Sequence, residues 1–165
     1  MYRIEPYVPA FRDGVIAVVR AVYDEYGWTW EAEGYHRDLY NVEEYYLRRG
    51  GMFWALLAGD VAQPPSAVDE AVVGCVGVVP HGEECELHRM YLLAAHRGRG
   101  LGRRLLETAM AFGRECGCRR MRAWSDVKLT AAHGLYLACG FVRQGDRICD
   151  DPDQSHEYGF AKEPL

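Results

Sequence analysis

The 165-residue sequence has no apolar run long enough to cross a bilayer, and its first residues, MYRIEPYVPAFRDG, lack the basic flank and unbroken apolar core of a secretory signal. A cytoplasmic protein with no membrane partner is therefore expected. Net positive charge is also missing. With 19 Lys and Arg against 24 Asp and Glu the formal charge is -5, which argues against nucleic acid as a partner. None of the six cysteines (Cys75, Cys85, Cys116, Cys118, Cys139 and Cys149) stands in a paired CxxC spacing. No metal site is expected from them, and reduced, mostly buried thiols are. There is no internal repeat.

What is present is an ordinary globular composition, 49% hydrophobic and 26% charged, in a length that fits one domain spanning 1–165. Alternation over 2–7 suits an opening strand, and Val15, Val18, Val19 and Val22 recur at helical spacing within a helix from Phe11 to Tyr26. A second helix is expected from Arg37 to Arg49, ended by Gly50-Gly51. Short apolar runs at 52–59 and 71–80 read as adjacent strands, separated by DVAQPPSAVDE, a surface insertion longer than a tight turn needs. The strand ECELHRMYLL (84–93) puts Glu86, His88, Met90 and Leu92 on one face and Leu87, Arg89 and Tyr91 on the other. A helix from Leu101 has a stripe of Leu105, Ala109, Phe112 and Cys116, stopped by Gly117. A strand at 118–124, a helix from Leu129 to Cys139 and two closing strands complete a β-α-α-β-β-β-α-β-α-β-β order. That order predicts an α/β mixed fold, a mostly antiparallel six- to seven-stranded sheet with one parallel crossover, flanked by about four helices.

The segment AAHRGRGLGRRLL (94–106) sets glycines at 98, 100 and 102 among arginines, between a strand and a helix start. Backbone amides freed there, together with the helix dipole, form an anion site. No Lys-Ser or Lys-Thr follows, so the nucleoside-triphosphate loop fails, and GxGxG is not the dinucleotide pattern GxGxxG. Arg97, Gly100 and Gly102 instead form R-x-x-G-x-G. With this motif, and with MRAWSDVKLTAAHGLYLACGF (121–141) ending in L-Y-x-x-x-G-F, the chain resembles the GNAT superfamily of acetyl-CoA-dependent N-acetyltransferases over residues 84 to 164.

The resemblance implies a GNAT-like fold with acetyl-CoA as co-substrate and no metal. It places the coenzyme pyrophosphate at Arg97, Gly98, Arg99, Gly100, Leu101, Gly102 and Arg103, mainly on backbone amides, with Arg97, Arg99 and Arg103 adding charge. Backbone amides at Met90 and Leu92, in the stretch with Tyr91, would align the pantetheine and polarise the acetyl carbonyl, provided the next strand splays away. Asp126 and His133 would sit near the mouth, although Ser125-Asp126 departs from the asparagine common in the family. Glu86 matches the strand glutamate that acts as general base in some members, against the alternative of a solvent-facing carboxylate. Tyr136 matches the tyrosine that protonates the departing thiolate, against the alternative of a core-packing ring. His88 shares the Glu86 face.

For the acceptor, residues 23–46 hold eight Tyr or Trp and seven Asp or Glu, with Arg37 as the one strong base. Such a wall would attract a cationic amine by charge and cation–π contact. The other reading is core aromatics beneath a solvated acidic face. Two functions stay open: acetylation of a small-molecule or peptide amine, or non-catalytic acyl-CoA binding as a sensor. Homodimers are common in such folds, and the sequence marks no interface.

Overall fold

The computed structural model describes residues 1–59 and 71–165; the expected surface insertion at 60–70 lies outside the described residues. Seven strands form one sheet in the order β1-β2-β3-β4-β5-β7-β6. β1 (Tyr2–Pro6), β2 (Met52–Ala58), β3 (Ala71–His81) and β4 (Glu84–Leu92) follow one another antiparallel. β5 (Arg120–Asp126) is parallel to β4, and β7 (His156–Lys162) lies antiparallel between β5 and the edge strand β6 (Val142–Ile148). This is the mixed sheet with one parallel crossover that the element order predicts.

Both faces of the sheet are covered, which is why its inner strands read as unbroken apolar runs. α1 (Arg12–Tyr26) buries all four valines of its stripe against one face, where Phe53, Ala55 and Leu57 of β2 meet Cys75 and Val79 of β3. The intervening Trp54 and Leu56 point the other way, to Leu101, Leu105, Leu106 and Ala109 of α4 (Leu101–Glu115). Each such valine or leucine contributes about 1.5–3 kcal/mol by leaving water. Gly27 ends α1 in a left-handed turn, φ 69°, with its amide on the Asp24 and Tyr23 carbonyls. α5 (Thr130–Ala138) adds Tyr136 to the α4 side.

Two expectations change. The second helix is broken into α2 (Arg37–Tyr40) and α3 (Val42–Tyr45), then a 3-10 turn at Leu47–Arg49. Asn41 leaves helical geometry at φ -142°, ψ 54°, its amide on the Asp38 carbonyl and its side chain reaching the Arg37 carbonyl. Asparagine competes in this way for local backbone groups, and the break lets Leu39, Val42 and Tyr46 all be buried. Cys116 is exposed rather than part of the α4 stripe, because the helix stops at Glu115 and Cys116 is its cap. The cysteines are free, and Cys75, Cys85, Cys118 and Cys149 are buried. Burial pushes the Cys75 and Cys85 thiols up to about 12, which keeps them unreactive at neutral pH. Among the described residues no helix is long and apolar enough to cross a membrane.

Candidate active site

The face pattern read for β4 holds only to His88. His88 pairs with Gly77 and Tyr91 with Cys75, so Arg89 and Met90 together stand against Val76 in a bulge. Arg89 takes φ 49° there. The extra residue reverses the alternation beyond it. Glu86, His88, Arg89 and Tyr91 therefore face α1 to α3, whereas Met90 and Leu92 turn to the α4 side with Leu87. Arginine in a left-handed conformation costs about 1–3 kcal/mol, and its side chain is what holds it. Nη2 donates to Asp38 Oδ1 (2.9 Å) and to the Tyr35 carbonyl (2.6 Å), and Nε donates to Asp38 Oδ2 (3.1 Å). The Tyr46 hydroxyl donates to the same carboxylate at 2.7 Å, and the Tyr35 ring lies 4.8 Å beneath the guanidinium. Burial alone would raise the Asp38 pKa, but Arg89 outweighs it and holds the carboxyl below its ordinary value.

β4 and β5 pair only from Glu84 opposite Arg120 to Leu87 opposite Ala123. β5 then continues beside β7 and β4 beside β3, so the two parallel strands separate and leave a notch. Leu93 donates its amide to Val73 of β3. Strand alternation then turns the amides of Leu92 and, two residues earlier, Met90 toward the notch. A cavity of about 650 Å³ occupies this region and brings together Glu86, His88, Met90, Tyr91, Asp126 and Tyr136. Glu86 Oε2 lies 3.7 Å from His88 Nε2, and burial lowers the pKa of that imidazole.

Leu92, residues 97–103 and His133 are outside the cavity lining. The glycine loop leaves β4 through a 3-10 turn (Ala94–His96) and enters α4 with Gly98 and Gly100 both at φ 74°. A Cβ at either position would meet nothing within 4 Å, so the demand for glycine is one of backbone conformation. Arg97 gives its amide to Ala94, and Arg104 gives its amide to Gly100. Between them, the six amides of 98–103 donate to no acceptor among the described residues. Arg97 itself is engaged: its guanidinium grips Glu25 at 2.7 and 2.8 Å, and Nε donates to the Leu92 carbonyl at 3.0 Å. It holds the Glu25 carboxyl below the usual range and shares its charge with it. Arg99 is exposed, and Arg103 Nη1 lies 3.3 Å from Cys139 Sγ.

Tyr136 is 4% exposed, its ring 5.5 Å from Phe141 and 5.2 Å from Phe160. Its hydroxyl has no hydrogen-bond partner among the described residues, and burial raises its pKa, so it stays protonated well above neutrality. Asp126 accepts the Lys128 amide at 2.8 Å. His133 bonds Ser125 Oγ at 3.1 Å and packs on Tyr158 and Phe160, behind the notch, with its pKa lowered by burial.

On the acceptor side, the aromatic part of segment 23–46 reaches the cavity through Tyr23, Trp28, Tyr35, Tyr45 and Tyr46. The acidic part largely does not. Of its seven carboxylates, Glu31 and Asp38 line the cavity, and Asp38 is neutralised by Arg89. Other lining acids, Asp150, Asp151 and Glu157, come from the β6–β7 region, and Glu157 is paired with Arg147 at 3.1 Å. Thr29 donates its amide and hydroxyl to Asp153, both at 2.7 Å, joining the loop after α1 to the loop before β7. Sequence reasoning missed Arg89, Trp124 and these loop acids, for which no local signal exists. Among the described residues no group of three or more His, Cys, Asp or Glu could hold a metal.

A family model described as "Acetyltransferase (GNAT) family" matches residues 17–141. An uncharacterized N-acetyltransferase of Escherichia coli K12, YjgM, is 31% identical over 155 residues, covering 86% of each chain. N-acetyltransferase 8B of Rattus norvegicus is 29% identical over 117 residues, 67% of this chain; the match takes in 48% of that longer relative. Among solved structures, a GNAT-family acetyltransferase from Staphylococcus aureus Mu50 superposes over 100% of both chains with a TM-score of 0.81 at 19% identity. An acetyltransferase from Streptococcus agalactiae 2603 gives 0.80 at 22% identity over 98% of each chain. At those identities the two structures speak for the fold.

Proposed function

From the premise that this chain belongs to the GNAT acetyltransferase family, we propose that it moves an acetyl group from acetyl-CoA to a primary amine by direct attack. The thioester supplies the activated acetyl group. The observation that carries this reading is the run of amides at 98–103 with no acceptor among the described residues, following β4, whose Glu86 lines one cavity with Tyr136. Two left-handed glycines and a helix start aim those amides outward, a donor set suited to a diphosphate. With Arg97 committed to Glu25, the backbone supplies most of the binding and Arg99 and Arg103 the added charge.

An alkylammonium with a pKa near ~10.4 has no free lone pair at neutral pH, so a proton must leave before attack. Glu86 takes it, with the neutral His88 beside it as a relay. The Met90 and Leu92 amides donate to the carbonyl oxygen as negative charge develops there. Tyr136 donates a hydrogen bond to the sulfur as the C–S bond breaks and passes its proton to the thiolate, while the remaining proton on the attacking nitrogen leaves to solvent and a solvent proton restores the phenol. Asp126, at the C-terminal end of β5, borders the pantetheine path, and His133 fixes that wall through Ser125.

The test is release of free thiol from acetyl-CoA on adding amines. Amine-dependent release, with acetylated product in equal amount, is expected. Coenzyme binding by calorimetry without amine-dependent release would instead support an acyl-CoA sensor.

A further inference from the structure

Among the described residues, two guanidinium groups in the cavity lining have no carboxylate partner. Arg37 opens α2 and Arg49 ends the 3-10 turn after α3, and both lie over the same ring, Tyr45, at 5.8 and 5.0 Å from its centroid. The other lining arginines are matched, Arg89 by Asp38 and Arg147 by Glu157. Among the described residues none offers a carboxylate within ion-pair distance of Arg37 or Arg49. Their end of the cavity is also the Glu86 end. Arg49 precedes Gly50, where a Cβ would lie 3.8 Å from Pro80 Cγ; Pro80 pairs with Cys85, and its neighbour Val79 pairs with Glu86.

We propose that the acceptor is a small amine that also carries an anionic oxygen group, a carboxylate or a phosphate, and that Arg37 and Arg49 read that group while the amine faces Glu86. The inference rests on the acetyl-transfer reading. A guanidinium presents a planar fork that matches carboxylate or phosphate oxygens, and stacking on Tyr45 restricts both side chains before the ligand arrives, so less freedom is lost on binding. Asp150 and Asp151, which line the cavity from the segment after β6, would repel an anion near them, which favours seating that group at the Arg37 and Arg49 end. The volume of about 650 Å³ suits a small molecule beside the pantetheine end.

The experiment measures thiol release from saturating acetyl-CoA by the full chain with matched acceptors: an α-amino acid, its amide, the decarboxylated amine, and the aminoalkyl phosphate of the same length. The anionic acceptors should have the lowest KM, and the order of carboxylate and phosphate tells which group the pair prefers. Arg37→Gln and Arg49→Gln should each raise KM for the anionic acceptor about tenfold, as loss of a charged hydrogen bond does. KM for the amide, kcat and the melting temperature should stay put. Equal or better use of the amide or the decarboxylated amine, or an unchanged preference in the double variant, overturns the inference while acetyl transfer stands. No thiol release with any acceptor overturns the acetyl-transfer reading and this inference with it.

Discussion

Replacing Tyr136 by phenylalanine separates packing from chemistry. The ring contacts with Phe141 and Phe160 involve only the aromatic face and survive the change. The deleted hydroxyl has no protein partner among the described residues, so no hydrogen bond is lost and no partner is left unsatisfied. Stability should therefore stay within about 0.5 kcal/mol of the parent, a shift of one or two degrees in Tm for a domain of this size. The proton delivered to the leaving thiolate is lost, and general acid catalysis typically contributes about 10²–10⁴ in rate. Steady-state thiol release should show kcat lowered by about that factor, with KM for acetyl-CoA changed less than threefold by the same reasoning. Because burial raises the phenol pKa, the parent's kcat should show no alkaline limb from Tyr136 ionisation below pH 10. Unchanged turnover would leave the residue a packing role. A fall of several degrees in Tm would mean that the hydroxyl has a structural partner.

Glu86→Gln should lower kcat by about a hundredfold or more; turnover equal to the parent's would take Glu86 out of the reaction. Gly100→Ala forces a side chain into φ 74° and should cost about 1 kcal/mol, whereas Gly102→Ala adds a Cβ only as close as 3.4 Å to Leu135 Cδ2 and should leave Tm level or slightly higher. Both should weaken coenzyme A binding by calorimetry. Unaltered affinity in Gly102→Ala would detach that glycine from the coenzyme. His36 is fully buried, stacked on Trp30 at 3.9 Å, and accepts the Glu31 amide at Nδ1. Burial lowers its pKa to about 4 from 6.5, so the unfolded chain binds the extra proton between those values and stability falls as pH drops through that window. The loss is roughly 2–3 kcal/mol by pH 4.5, read by denaturant titration. His36→Phe should flatten the slope there, and an equal slope in the variant would contradict the assignment.

Much of the fold was legible because its signals are local. The α1 valines and the apolar runs of β2 and β3 report burial within a few residues of themselves, and the glycines at 98 and 100 mark left-handed turns that only they adopt readily. The bulge in β4 was not legible. No glycine marks it, and the arginine that adopts the unusual φ is held by Asp38, 51 residues away. The split between aromatic and acidic parts of segment 23–46 was hidden for the same kind of reason. Tyr and Trp are drawn inward by area, while Glu25, Glu33, Glu43 and Glu44 stay outside the cavity lining; the sequence lists both types together. Loop acids such as Asp150 join the site through the β6–β7 pairing and the Thr29–Asp153 clasp, the second of which spans more than 100 residues.

The central claim is that the main-chain amides of 98–103 receive the diphosphate of coenzyme A. Backbone amide NMR during titration with coenzyme A tests it most directly: the six amide resonances should shift downfield together with those of Met90 and Leu92, and pantetheine lacking the diphosphate should move only the latter pair. Saturable binding that leaves the 98–103 resonances in place would contradict the account.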